Sequence, residues 1–268
     1  MDVATIPARS VSVAPFQSTL ADTSLAPLGY ALADLLLTDL TQSRQLVVVE
    51  RLRLDAVLRE LQMVEAGLVD ARSAPRVGRI VGARRLVLGR LAPRPGEQVA
   101  LDLGVADAST GTMTPIPPAV ARLADVLDAE KALAFRLFDQ LGVTLSPAER
   151  AAIEQRPTRN LAALLAYGRA VRYEVFGDYA AAAREYREAE RIDPGFRQAG
   201  ERRRAAEQLA APALRSASSL TRAAFATTDR INGVFTTPIG GAARPGLPAD
   251  PAFQSSSTTI FVTITTPP

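Results

Sequence analysis

The sequence predicts an α+β fold: a sheet with helices packed against it, then an all-α region containing a helical hairpin, then an extended C-terminal tail ending in a strand. Three observations predict it. Ahead of the tail, strand-type runs are confined to residues 11–116, where they interleave with helical periodicity. Beyond Pro157 the chain turns to alanine- and arginine-rich helical patterns without strand signals. From Asn232 it becomes rich in Gly, Pro, Ser and Thr, the composition of a linker.

The elements follow in order. After a leader segment over 1–10, Val11–Phe16 alternates, ends at Pro15 and reads as a short strand. Pro27–Ser43 has helical spacing through Leu28, Ala31, Leu32, Leu35, Leu36, Asp39 and Leu40. Leu46–Val49 is a β-branched run, expected as a buried strand. Glu50–Gln62 carries the stripe Leu54, Val57, Leu58 and Leu61, and Ala71–Val81 is a short helix stopped by Gly82. Arg85–Leu91 and Gln98–Ala106 form strands around a turn at Pro93–Gly96. Thr112–Ile116 is a strand that Pro115, Pro117 and Pro118 confine to an edge. A helix is expected over Ala119–Leu141. Ser146-Pro147-Ala148-Glu149 then opens a new one with a capping box, which marks a boundary between an α/β domain over 11–145 and a helical region over 146–231. The tail, 232–268, ends in an uncharged strand over 258–265 that needs an edge to pair with.

Composition excludes much chemistry. The chain of 268 residues has no cysteine and no histidine. Disulfides, thiolate chemistry and histidine-based catalysis are therefore absent, along with the commonest transition-metal ligands. The charge is near balance, with 31 basic and 28 acidic residues, and Lys131 is the sole lysine. Arg202, Arg203 and Arg204, flanked by Glu201 and Glu207, read as a solvated helix face rather than a nucleic-acid patch. Glu50, Asp55, Glu60 and Glu65 drift around a helix and share no face. Gly78–Gly82 lacks the lysine and the context of a phosphate loop, and Asp102 and Asp107 lack the partners of a calcium loop. No catalytic, cofactor or metal site is expected, and no stretch approaches the roughly 18 apolar residues of a membrane helix. No secretory signal is visible at the start, so either the chain is cytoplasmic or a leader lies upstream.

Asn160–Pro194 resembles one tetratricopeptide repeat. Ala170, Ala182 and Ala189 stand where that family crosses its helices, Tyr173 and Tyr186 match its large residues, and Pro194 matches its terminal proline. Ala166 and Arg169 depart from it, standing where the family has tryptophan and leucine. One repeat cannot bury its own faces. Its first helix would offer Leu164, Tyr167, Val171 and Glu174 to another protein, or else pack them against the following helix.

Residues 11–155 resemble the periplasmic domain of the curli assembly/transport (CsgG-type) family. The likeness rests on Val11–Phe16, on Leu37-Thr38-Asp39-Leu40 leading into Leu46–Arg51, on Gly82-Ala83 before Leu86–Gly89, and on Asp107–Gly111. It implies a cell-envelope protein of export or surface assembly, often oligomeric. The family's membrane hairpins have no counterpart, because Leu91 and Val99 are joined by a tight turn and Thr112 runs directly to Pro118.

The leading expectation is a non-catalytic envelope assembly or scaffold protein that contacts other protein chains or copies of itself. One alternative is a surface-filament subunit in which Ile260, Phe261, Val262 and Ile264 complete a neighbour's sheet. Another is a ligand-sensing domain in the cytoplasm.

Overall fold

In the computed structural model, the residues described are 5–49, 54 and 72–211. The chain divides into two units, Met1–Ala217 and Ser218–Pro268, and all described residues lie in the first. The fold is α+β, as the sequence predicts.

The sheet is built around a long hairpin. Strands β4 (Arg85–Arg94) and β5 (Gln98–Asp107) pair antiparallel over their whole length. Their turn places Gly96 at φ 76° and Glu97 at φ 57°, the left-handed backbone that tight hairpins require. Both strands are longer than the sequence pattern indicates, because Pro93 still sits opposite Val99 at the ladder's end. Strand β6 (Met113–Arg122) pairs with β5. Asp107 fixes the connection: its carboxylate accepts from the Ser109 amide at 2.7 Å and pairs with Arg85 at 2.7 Å.

The N-terminal segment adds parallel strands. β1 (Ser10–Val13) lies beside β4 and β2 (Gln17–Ser18) pairs further along it. β3 (Val47–Val48) pairs with β1. The order is β3-β1-β4-β5-β6, with β2 also on β4.

The first strand stops before Pro15, as the sequence has it, and the Phe16 amide turns to the Gly29 carbonyl at 3.2 Å. Two sequence expectations change here. The run Leu46–Val49 is not a buried strand. It is a two-residue edge outside β1, with Val47 52% exposed. The helix expected from Ala119 begins only at Val126, because Ala119–Arg122 remain paired with β5. The prolines are tolerated as expected, on an outer strand with a register shift between Leu101 and Leu103. Arg136 donates to the carbonyls of Pro117 and Pro118 at 2.8 and 2.6 Å.

Helices cover both faces of the sheet. Helix α1 (Pro27–Leu40) and α3 (Val126–Gln140) pack on the face carrying Val87, Leu91, Leu101, Leu103 and Val105. Helix α2 (Ala74–Val81) packs Val77 and Val81 against Leu86 and Ala106 on the other. It ends at Gly82 with φ 78°, the expected left-handed cap. The helix expected over Glu50–Gln62 falls outside the described residues except for Leu54, which is helical and buried.

The helical region continues this core. Helix α4 (Pro147–Ile153) opens with the expected capping box between Ser146 and Glu149. Helices α5 (Leu161–Phe176) and α6 (Tyr179–Ile192) form an antiparallel hairpin, and α7 (residues 197–211) follows. Helix α5 lies along α1 so closely that a Cβ on Gly168 would stand 2.1 Å from the Pro27 carbonyl oxygen. α1 is thus enclosed between the sheet and α5, which explains why Leu35, Leu36 and Leu37 are all buried.

Candidate interaction site

Two polar clusters are set along α1, in the seam where the helical region meets the sheet layer. The first is centred on Asp34, which sits among leucines and is buried. Tyr167 of α5 donates its hydroxyl to one Asp34 oxygen, and Arg202 of α7 donates to the other. Arg202 also lies 3.6 Å from Glu174 of α5. Burial works against charge on Arg202, yet Asp34 and its neighbours outweigh it and hold the guanidinium firmly protonated. The Tyr167 hydroxyl is pushed well above the ordinary phenol value, first by burial and then by the Asp34 charge, so it stays a donor. The Tyr167 ring packs at 5.2 Å against Tyr186 and at 4.8 Å against Phe196, all three rings buried. This cluster joins α1, α5 and α7.

The second cluster joins α1 to α3. Lys131 donates to both oxygens of Asp39 at 2.9 and 2.7 Å, and Glu130 lies 3.3 Å from the same ammonium. All three are buried. Burial, then the neighbouring Asp39 charge, pushes the Glu130 carboxyl up to about 8. Asp39 is also raised, chiefly by burial, although Lys131 opposes this. Lys131 is disfavoured by burial but held above the ordinary lysine value by the two carboxyls. Because Asp39 receives both bonds from Lys131, Glu130 is the group that keeps a proton. The Asp39–Lys131 pair forms the floor of an open cleft of about 450 Å³, walled by Gln42, Gln155, Arg156, Arg197, Gln198 and Glu201. Gln198 is anchored across it, donating to Thr38 at 3.0 Å.

A second cleft, of about 480 Å³, lies between the start of α3 and the approach to α5, with Asp125, Asp128, Arg156, Arg159 and Leu164 in its lining. Arg156 borders both clefts and pairs with Asp128.

The residues expected to meet a partner are placed differently from that expectation. Leu164, Tyr167, Val171 and Glu174 are all at most 3% exposed. They form the inward face of α5, because a helix laid on α1 turns its apolar stripe there. Tyr167 and Glu174 are brought together through Arg202, while Leu164 and Val171 join the core. Ile260, Phe261, Val262 and Ile264 lie outside the described residues. The outward side of α5 instead exposes Tyr173 and Phe176, with Arg172 above the Phe176 ring at 5.7 Å. Arg202 also departs from the solvated face read for 202–204; Arg203 is half-buried and pairs with Glu190 and Glu207 at 2.9 and 3.0 Å, and Arg204 is exposed. The Lys131 cluster was missed. Its signals were the only lysine of the chain and the placement of Asp39 inside an apolar stripe.

Residues 4–93 match the family model of the curli production assembly/transport component CsgG. That is about a third of the chain, spanning β1 to most of β4. It includes Asp34 and Asp39 but not their partners on α3, α5 and α7. Among solved structures, the C-terminal domain of LpoB from Salmonella enterica is similar at 14% identity and TM-score 0.33, covering 44% of this chain and 84% of that one. Lipoprotein GNA1162 from Neisseria meningitidis is similar at 16% identity and TM-score 0.32, covering 52% of this chain and 100% of that one. No curated protein matches the sequence. Among the described residues no helix is long and apolar enough to cross a membrane.

Proposed function

We propose that this protein is a non-catalytic component of the cell envelope that acts by contact with other protein chains in export or surface assembly. The observation that carries the reading is the match of residues 4–93 to an assembly/transport family model. A second feature favours contact over catalysis: the polar side chains of the seam are spent on one another. Asp34, Tyr167, Glu174 and Arg202 bind helix to helix, as do Asp39 and Lys131. We read the α5–α6 hairpin as tetratricopeptide-type, since Ala170, Ala182 and Ala189 are fully buried at its crossing. Its partner-facing side is then the outward one with Tyr173 and Phe176, not the inward face on α1.

The test is the solution mass of the full chain by light scattering, with in-cell crosslinking of the envelope fraction. A chain lacking residues 256–268 is measured alongside. A multiple of 28.5 kDa, or a defined crosslinked partner, is the expected result. A monomer at all concentrations, with no crosslink in the envelope, overturns the proposal. A multimer that dissociates on deletion assigns the assembly contact to the terminal segment.

A further inference from the structure

The Glu130 cluster contains two carboxyl groups and a single ammonium, enclosed between α1 and α3. Lys131 donates to both Asp39 oxygens at 2.9 and 2.7 Å and stands farther from Glu130, at 3.3 Å, so one ammonium is shared unequally between two carboxyls. Glu130 is 1% exposed. The charged groups facing it are Asp39 from α1 and Lys131 on its own helix. Arg156, Arg197 and Glu201 stand in the cleft above the Asp39–Lys131 pair. With both carboxyls ionised, the cluster would bury a net negative charge, which is unfavourable at this depth.

We propose that Glu130 is a proton-operated latch between α1 and α3, which holds the floor of the cleft closed while Glu130 is protonated and loosens it as that proton is lost. When Glu130 gives up its proton to solvent, its carboxylate competes with Asp39 for the one ammonium. The pair that closes the floor is then weakened. The chain has neither histidine nor cysteine, so no other side-chain type with an ordinary pKa near neutrality obscures the response.

The direction follows from linkage. A carboxyl raised in the closed state binds a proton there that the open state, with an ordinary carboxyl, has lost. The latch is therefore firmest below the ordinary glutamate range. It weakens about tenfold per pH unit from there up to about 8, where the closed state ionises too, and then levels off. Asp39, also raised, acts with the same sign. The carboxyls held low by surface partners, such as Glu149 and Glu207, act only at more acidic pH.

The experiment is hydrogen exchange on the full chain from pH 5.5 to 8.5, read as protection factors normalised to free-amide rates at each pH. The amides are those of residues 37–42 and 130–134. In the wild type, protection should fall about a hundredfold between pH 5.5 and 7.5 and then flatten. In Glu130→Gln, which is neutral at every pH, it should change less than about threefold over the same range. An equal fall in both proteins, or none in the wild type, overturns the proposal. A second measurement is independent of whether the variant folds: the side-chain carboxyl carbon of Glu130 is followed by NMR in the wild type. A midpoint near 8 is expected, and a midpoint below about 6 overturns the latch.

Discussion

Replacing Arg202 by methionine keeps the length of the side chain and removes its charge. Two carboxylates are left behind, Asp34 and Glu174, with side chains only 1% and 4% exposed. Removing one partner of a buried pair costs about 3–5 kcal/mol, because the other charge stays buried and uncompensated. Arg202 itself is 30% exposed, which admits some water and places the cost near the lower end, about 3 kcal/mol. For a unit of this size each kcal/mol moves Tm by about 2–4 °C, so the fall should be about 6–12 °C. The assays are thermal unfolding of the full chain at pH 7, which reads Tm, and urea unfolding, which reads the free energy from the midpoint at unchanged slope. Arg187→Ala is the internal control. Its pair with Glu207 is a surface pair, with side chains 62% and 39% exposed, and its loss should cost less than about 1 kcal/mol. Adding Asp34→Asn to Arg202→Met should recover part of the loss, since the amide oxygen still accepts from Tyr167 and no charge remains there. If Arg202→Met and Arg187→Ala cost the same, the seam cluster does not join the helices as argued.

Other substitutions probe the same architecture. Gly168→Ala puts a methyl group 2.1 Å from the Pro27 carbonyl oxygen, so α5 must lift from α1; a loss of about 1–3 kcal/mol is expected in the same assay. Tyr167→Phe removes the hydroxyl donor to Asp34 but keeps the ring stack, and should cost about 1–2 kcal/mol by thermal unfolding. Ser146→Ala breaks the capping box of α4 and should cost about 1 kcal/mol, with no change in solution mass.

The fold was legible where local chemistry decides it. Gly82, the Ser146 capping box and Asp107 each fix a cap or turn through neighbours in sequence, and each stands where it was expected. What decides strand ends is distant. Whether Ala119–Arg122 becomes strand or helix depends on Val99 and Leu101 across the ladder, which periodicity in a short window does not contain. The same holds for Val47, whose β-branched neighbours suit an interior strand although no strand lies beyond it among the described residues. For the site, the sequence marked one face of α5 either as a surface for another protein or as one packed against the following helix. The partner is α1 of the same chain, and that pairing is set by Gly168 and Pro27, far apart in sequence. Asp34, Glu130 and Arg202 look like ordinary surface charges on their own helices. Only the stacking of four helices buries them.

The close seating of α5 on α1 bears on how such a chain can be divided or recombined. A polypeptide stopped at residue 145 would keep every described strand of the sheet, yet it would bare the side of α1 that carries Pro27, Asp34 and Thr38, and Asp34 would lose the Tyr167 and Arg202 donors. Fusing the front segment to a different helical module would meet the same obstacle unless the newcomer brought its own glycine and its own tyrosine–arginine couple. Insertions should be tolerated at the β4–β5 turn, where Gly96 has open space around it, and rejected between α4 and α5. What looks in the sequence like a junction between modules is, in three dimensions, where one hydrophobic core is completed.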